Sequence, residues 1–161
     1  MITLLPSQAI AAEPTGTARE IEQQFHRGEH ALAQQRLDQA LSQRPADVSL
    51  RFLKGVFLTE TDRAAEAVSL FELLTQEFPE LPEPYNNLAV LQASAGRFGA
   101  ARELLETALR LDPSYLTAHE NLGDVFVRLA LASYEAAAAG TRNEPRLMNK
   151  LRLARDLAVA R

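Results

Sequence analysis

The chain has no cysteine among its 161 residues. Disulfides, thiolate metal sites and thiol nucleophiles are therefore excluded. It also lacks a positive excess: 17 Lys and Arg stand against 21 Asp and Glu, for a net charge of −4. Recognition of nucleic acid rests on neutralising phosphates, so a general nucleic-acid binder is not expected. No stretch approaches the run of about 20 apolar residues that a membrane-spanning helix needs, and stable membrane insertion is not expected either. Strand signals are missing too, since no β-branched residues alternate with polar ones between turns. No glycine-rich phosphate loop, paired carboxylates or Ser-His constellation is visible, so no catalysis and no cofactor are expected.

What is present is 47% hydrophobic and 24% charged residues, enough for a real core in a water-compatible chain. Residues 1–15 read differently from the rest, being apolar and small, with Ala9, Ile10 and Ala11 in the small-residue pattern accepted at a signal cleavage site. A charged stretch before them is missing and the apolar run Ile2, Thr3, Leu4, Leu5 is short. Two readings stay open: the remnant of an export signal, or an N-terminal arm.

The organisation comes from an internal period of 34 residues. Pro45, Pro79 and Pro113 keep it, and so do Ala33, Ala67 and Ala101, Gly55, Ala89 and Gly123, Leu37, Phe71 and Leu105, and Ala40, Leu74 and Ala108. Five combs with one spacing identify a repeat architecture. Inside each period the apolar residues recur at helical spacing in two stretches, for example Leu53, Val56, Phe57 and then Ala67, Leu70, Phe71, Leu74, broken at Asp62. Each unit reads as helix, turn, helix. The small residues at 55, 89, 67 and 101 allow close approach of the paired helices, and the prolines stop each second helix.

These residues resemble the tetratricopeptide repeat family, whose 34-residue signature has small residues at its eighth and twenty-seventh positions, Ala at the twentieth, a large apolar at the twenty-fourth and Pro at the thirty-second. Units 48–81 and 82–115 match well, the latter with Tyr85, Ala89, Gly96, Phe98, Ala101, Leu105, Ala108 and Pro113. The unit at about 14–47 keeps Gly28, Ala33, Leu37, Ala40 and Pro45 but has Ile21 where a small residue belongs. The resemblance implies an all-α, right-handed superhelix over 16–140, with three to four repeats and a C-terminal capping helix over 141–161. Stretches such as those at 51–55, 80–91 and 119–125 are also similar to small exported repeat proteins of Gram-negative bacteria, which implies a periplasmic or exported location, with the cytoplasm as the alternative.

The fourth unit is short. From Gly55 to Phe71 and from Ala89 to Leu105 is sixteen residues, whereas from Gly123 to Tyr134 is eleven. The region 116–139 has no glycine but Gly123 and no proline, so its two helices are expected to fuse into one of about 36 Å, ending near Gly140. A last helix from about Pro145 would present Leu147, Leu151, Ala154 and Ala158 on one face.

For function, stacked repeats leave a concave wall lined by first helices, and such walls hold peptides or proteins. On this register the candidate groove residues are Phe52, Glu60, Glu83, Asn86, Asn87, Val90, Glu120, Asn121, Asp124 and Arg128. Asn87 and Asn121 lie one repeat apart, and an amide both donates to and accepts from an extended backbone. The competing reading makes these asparagines bridges between neighbouring helices, and makes Phe52 core. Inward carboxylates outnumber inward Arg19 and Arg128, which suits a basic or neutral segment. The family's clamp for acidic peptide C-termini does not carry over, because Ala18, Glu22 and Glu83 stand where it needs cations.

His26 and His30 are four apart but separated by a turn at Gly28, so no metal site is expected. The basic tail, with Arg142, Arg146, Lys150, Arg152, Arg155 and Arg161, is either the wet face of the last helix or a dock for an anionic surface. The expected role is a protein-interaction module for a protein or peptide partner, with a self-associating assembly factor, hence a homo-oligomer, as the alternative.

Overall fold

The computed structural model describes residues 16–140 and 144–159, and the expectations for residues 1–15, Arg142 and Arg161 lie outside them. Eight helices follow one another: α1 (Gly16–His26), α2 (His30–Gln43), α3 (Val48–Glu60), α4 (Ala64–Glu77), α5 (Pro82–Ser94), α6 (Phe98–Leu111), α7 (Leu116–Gly140) and α8 (Pro145–Val159). The described residues contain no strand. The fold is an all-α solenoid, as the period requires.

Two turns repeat. Each first helix ends on a residue with positive φ: Gly28 at 82°, Asp62 at 58° and Gly96 at 75°, again 34 residues apart. At all three, the amide of that residue donates to the carbonyl three residues back and the next amide to the carbonyl five back, as in Arg63 to Leu58 at 2.9 Å and Arg97 to Gln92 at 2.9 Å. This is the Schellman geometry, which glycine adopts without strain and aspartate tolerates. Position 130, the next tooth of this comb, is Ala130, and there the helix runs on.

Each second helix ends in a turn closed by Asp47 to Arg44, Leu81 to Phe78 or Tyr115 to Asp112, at 3.1, 3.2 and 3.2 Å. Pro45, Pro79 and Pro113 sit second in these turns, where the fixed φ of proline is already correct. The prolines thus shape the bend as well as stop the helix.

The core is three linked clusters, each belonging to one helix pair plus the next first helix. The middle one joins Phe52, Val56, Ala67, Phe71 and Leu74 to Leu88 and Leu91 of α5. The others join α1 and α2 to Leu50, Leu53 and Phe57, and α5 and α6 to Ala118 and Val125. Neighbouring units therefore bury each other, and burying a side chain such as Phe71 or Leu74 is worth about 1.5–3 kcal/mol.

Gly55 has a specific task. A Cβ there would lie 2.6 Å from Cζ of Phe71, so the ring occupies the space that any side chain would need. The close approach expected between backbones is here a ring seated on a backbone.

The backbones of the first helices approach one another in series, α1 to α3, α3 to α5 and α5 to α7, while no Cα of α2, α4 or α6 comes within 8 Å of another of these three. The first helices accordingly form the inner wall. The expected fusion is present: α7 is 25 residues without a break at Ala130, about 37 Å long. The expected last helix is present as well, with Leu151 and Ala154 buried and Leu147 and Ala158 half-buried on the face toward α7.

Candidate functional site

The inner wall is read most directly as rows of residues one repeat apart. The row at His26, Glu60, Ser94 and Arg128 is exposed in all four units. The next, Glu22, Val56, Val90 and Asp124, is half-buried at its two ends and buried in the middle. A third, Ala18, Phe52, Asn86 and Glu120, is buried except at Glu120, and the fourth, Arg19, Leu53, Asn87 and Asn121, except at Arg19. Each row is a stripe along the stack because successive units repeat the same helix register.

Of the candidate groove residues, Glu60, Glu120 and Arg128 are therefore exposed and Asp124 half-buried, whereas Phe52, Glu83, Asn86, Asn87, Val90 and Asn121 are enclosed. Phe52 is 3% exposed and meets Phe71 of its own unit edge-on, with centroids 5.6 Å apart, in the cluster that also holds Leu88 and Leu91 of the third unit. Phe57 is core, stacked on Phe25 at 4.0 Å.

The two asparagines expected to work as a pair differ. Asn121 donates from Nδ2 to Oδ1 of Asn86 at 2.9 Å, a buried bridge from α7 to α5. One unit earlier, the residue equivalent to Asn86 is Phe52, which offers no acceptor. Asn87 donates instead to the carbonyl of Glu83 in its own helix, at 3.0 Å, and its Oδ1 has no partner among the described residues. Sequence reasoning missed this division because the signal lies 35 residues upstream of each asparagine.

Glu83 is the second residue of α5, behind Pro82, where a helix N-terminus favours a carboxylate. Burial outweighs that and pushes its carboxyl up to about 7, with Asp112 adding in the same direction. Its Oε2 has no partner among the described residues. Burial likewise pushes the Tyr115 phenol up, with Glu83 and Asp112 adding to the effect.

His30 opens α2 and stacks on Phe25 at 4.3 Å, while His26 lies 3.9 Å from Glu22. Among the described residues no three histidine or carboxylate side chains gather as a metal would require. No helix among them is long and apolar enough to cross a membrane. The basic face of α8 is partly committed: Arg152 pairs with Asp156 at 3.1 Å and Arg155 with Glu135 of α7 at 3.0 Å.

Comparison with protein families gives two matches. A model described as a tetratricopeptide repeat covers residues 24–82, and one described as a TPR repeat covers residues 92–129. Together they take in more than half of the chain.

Proposed function

We propose, from the premise that the chain belongs to the tetratricopeptide repeat family, that its inner wall receives a segment of a partner protein laid across α1, α3, α5 and α7. Repeats of this family mediate protein–protein interaction. The observation that carries the reading is the exposed polar row His26, Glu60, Ser94 and Arg128, which stays open to solvent while the rows beside it close in the middle units. Glu60, Glu120, Asp124 and Arg128 are its charged contacts, and Ser94 a neutral one. Beneath them Phe52, Glu83, Asn86, Asn87, Val90 and Asn121 form the floor, which keeps the row in register without touching the segment first.

Carboxylates outnumber cations along this wall, with Glu22, Glu60, Glu120 and Asp124 against Arg19 and Arg128. The complementary segment is basic or neutral, and electrostatics of this kind governs partner choice and encounter rate more than affinity.

A matched pair of serines tests it. Ser94 lies on the inner row, and Ser69 is exposed on α4, a second helix outside the wall. With a photo-crosslinking amino acid at each site in turn, in the cell that makes the protein, adducts to a second protein are expected from position 94 and not from 69. Adducts from 69 alone, or none from 94, overturn the inner-wall reading.

A further inference from the structure

A second surface, independent of the inner wall, lies at the C-terminal end of the stack. Repeat arrays end in units whose outer face is polar, because nothing follows to cover them. Here the far half of the outer face is apolar. Along α7, Leu116, Glu120, Gly123, Val127, Ala130 and Tyr134 fall on one stripe at alternating intervals of four and three, on the side away from the buried Ala118, Asn121 and Val125, and beyond the exposed Glu120 the stripe carries no charge. Leu116 is 81% exposed and Phe126, beside the stripe, 49%.

In the second unit the corresponding stripe is covered by that unit's own second helix, with Phe71 seated on Gly55. The fourth unit has no such helix in that place. A Cβ on Gly123 meets nothing within 4 Å. The helix α8 turns back onto the far half of α7, where Lys150 lies over the Tyr134 ring and Arg155 pairs with Glu135. Between them is an open cavity of about 240 Å³ lined by Val127, Ala130, Tyr134, Lys150, Leu153 and Leu157, together with Ala154. A cavity of about 150 Å³ already accommodates a benzene ring. Leu153 and Leu157 on its rim are 48% and 61% exposed.

The charges around this trough select its occupant. Asp156 and Glu135, the nearby carboxylates, are held by Arg152 and Arg155. Arg146 and Lys150 make no ion pair among the described residues, and Lys150 lines the cavity itself, while Glu120 stands outside the cavity, toward the start of α7. Glu144 precedes α8, at the end where the helix dipole favours it. A second copy of this end would bring Lys150 and Arg146 against their like, and a flat lipid surface does not enter a cavity. We propose that the trough between α7 and α8 takes an acidic amphipathic helix of a partner protein, seated on Val127, Ala130 and Tyr134 beside Lys150 and short of Glu120.

The chain supplies a probe of that chemistry. Residues 64–77, the sequence of α4, make an acidic amphipathic helix with Glu66, Glu72 and Glu77 and with Ala67, Phe71 and Leu74 on one face. A labelled, helix-stapled peptide of this sequence is titrated with the full chain and followed by fluorescence anisotropy. It is expected to bind, and to bind about tenfold more tightly than the peptide carrying Glu66→Lys, Glu72→Lys and Glu77→Lys. Leu157→Asp and Lys150→Glu in the full chain are each expected to weaken it about tenfold with an unchanged circular dichroism melt, since both side chains are exposed. Equal binding of the two peptides, or indifference to Leu157→Asp, overturns the proposal. So does a dimer in light scattering that Leu157→Asp dissolves, or pelleting with phosphatidylglycerol vesicles that exceeds peptide binding. The inner wall is untouched by both substitutions, so the serine crosslinks report on it separately.

Discussion

Gly55 and Gly123 hold the same place in their units, two periods apart, and their surroundings are opposite. The first lies under the Phe71 ring in a sealed core, where even a methyl group would sit 2.6–2.7 Å from ring atoms. The second faces open space. A residue type set by the repeat register thus has a packing cause in one unit and none in the other. What differs is the partner: the second unit folds its own helix back over the glycine, whereas α8 folds back only on the far half of α7. Seen this way, the last unit is a first helix that keeps the residues of a paired one.

The comparison breaks or sharpens with a pair of alanines. Gly55→Ala adds helix propensity of about 1 kcal/mol, yet forces Phe71, which is fully buried, off its seat. Overpacking of this kind costs about 1–3 kcal/mol and more where neighbours cannot give. A net loss of about 2 kcal/mol is expected, read as a lower urea midpoint with an unchanged slope. Gly123→Ala meets nothing and is expected to raise stability by up to about 1 kcal/mol. Equal effects at the two sites would mean that the Phe71 ring does not rest on Gly55.

A second contrast lies along the row Ser49, Glu83 and Thr117, the second position of three successive first helices. Ser49 and Thr117 carry no charge, and only the third unit places a carboxyl there, nine-tenths buried beside Tyr115 and Asp112. Its pKa of about 7 in the folded chain lies above the ordinary carboxyl value of 4.5. A raised acid binds its proton more tightly when folded, so its contribution is most favourable below about 4.5 and is lost as pH rises toward 7. Stability is therefore expected to fall between pH 5 and 8 by about 2 kcal/mol, after a discount for partial solvent contact. Glu83→Gln is expected to flatten this slope and to be the more stable form at pH 8. An unchanged slope in the variant would assign the pH dependence to other groups.

Much of this was open to reading in the sequence, and the reasons differ by element. The period, the helix pairs, the fusion of α7 and the start of α8 follow from spacing alone, because a deletion of five residues leaves too little chain for a turn. The sites of the positive-φ turns were equally visible as Gly28, Asp62 and Gly96, since the Schellman geometry is local. The inner wall was legible as a register and not as a surface. Whether Phe52 or Val90 is exposed depends on how closely the neighbouring first helices approach, which side chains on two units decide together. The asparagines show the same limit most sharply.

Asn87 and Asn121 are indistinguishable by position, and the residue that separates them belongs in each case to the preceding unit. Asn121 meets Asn86, and its removal leaves the buried Oδ1 of Asn86 without that donor. An orphaned buried group costs about 1–3 kcal/mol, of which an added apolar contact returns part, so Asn121→Leu is expected to lower stability by about 1–2 kcal/mol. For Asn87 the residue at the place of Asn86 is Phe52, and the Oδ1 of Asn87 already has no partner among the described residues. The carbonyl of Glu83 that loses the Asn87 donor keeps its helix amide, and the unpartnered Oδ1 goes with the side chain, so no buried group is newly orphaned and Asn87→Leu is expected to change stability by no more than about 0.5 kcal/mol. Guanidinium melts of the two variants decide it: the larger loss at Asn121 follows from the bridge, and equal losses would show that both amides work in the same way.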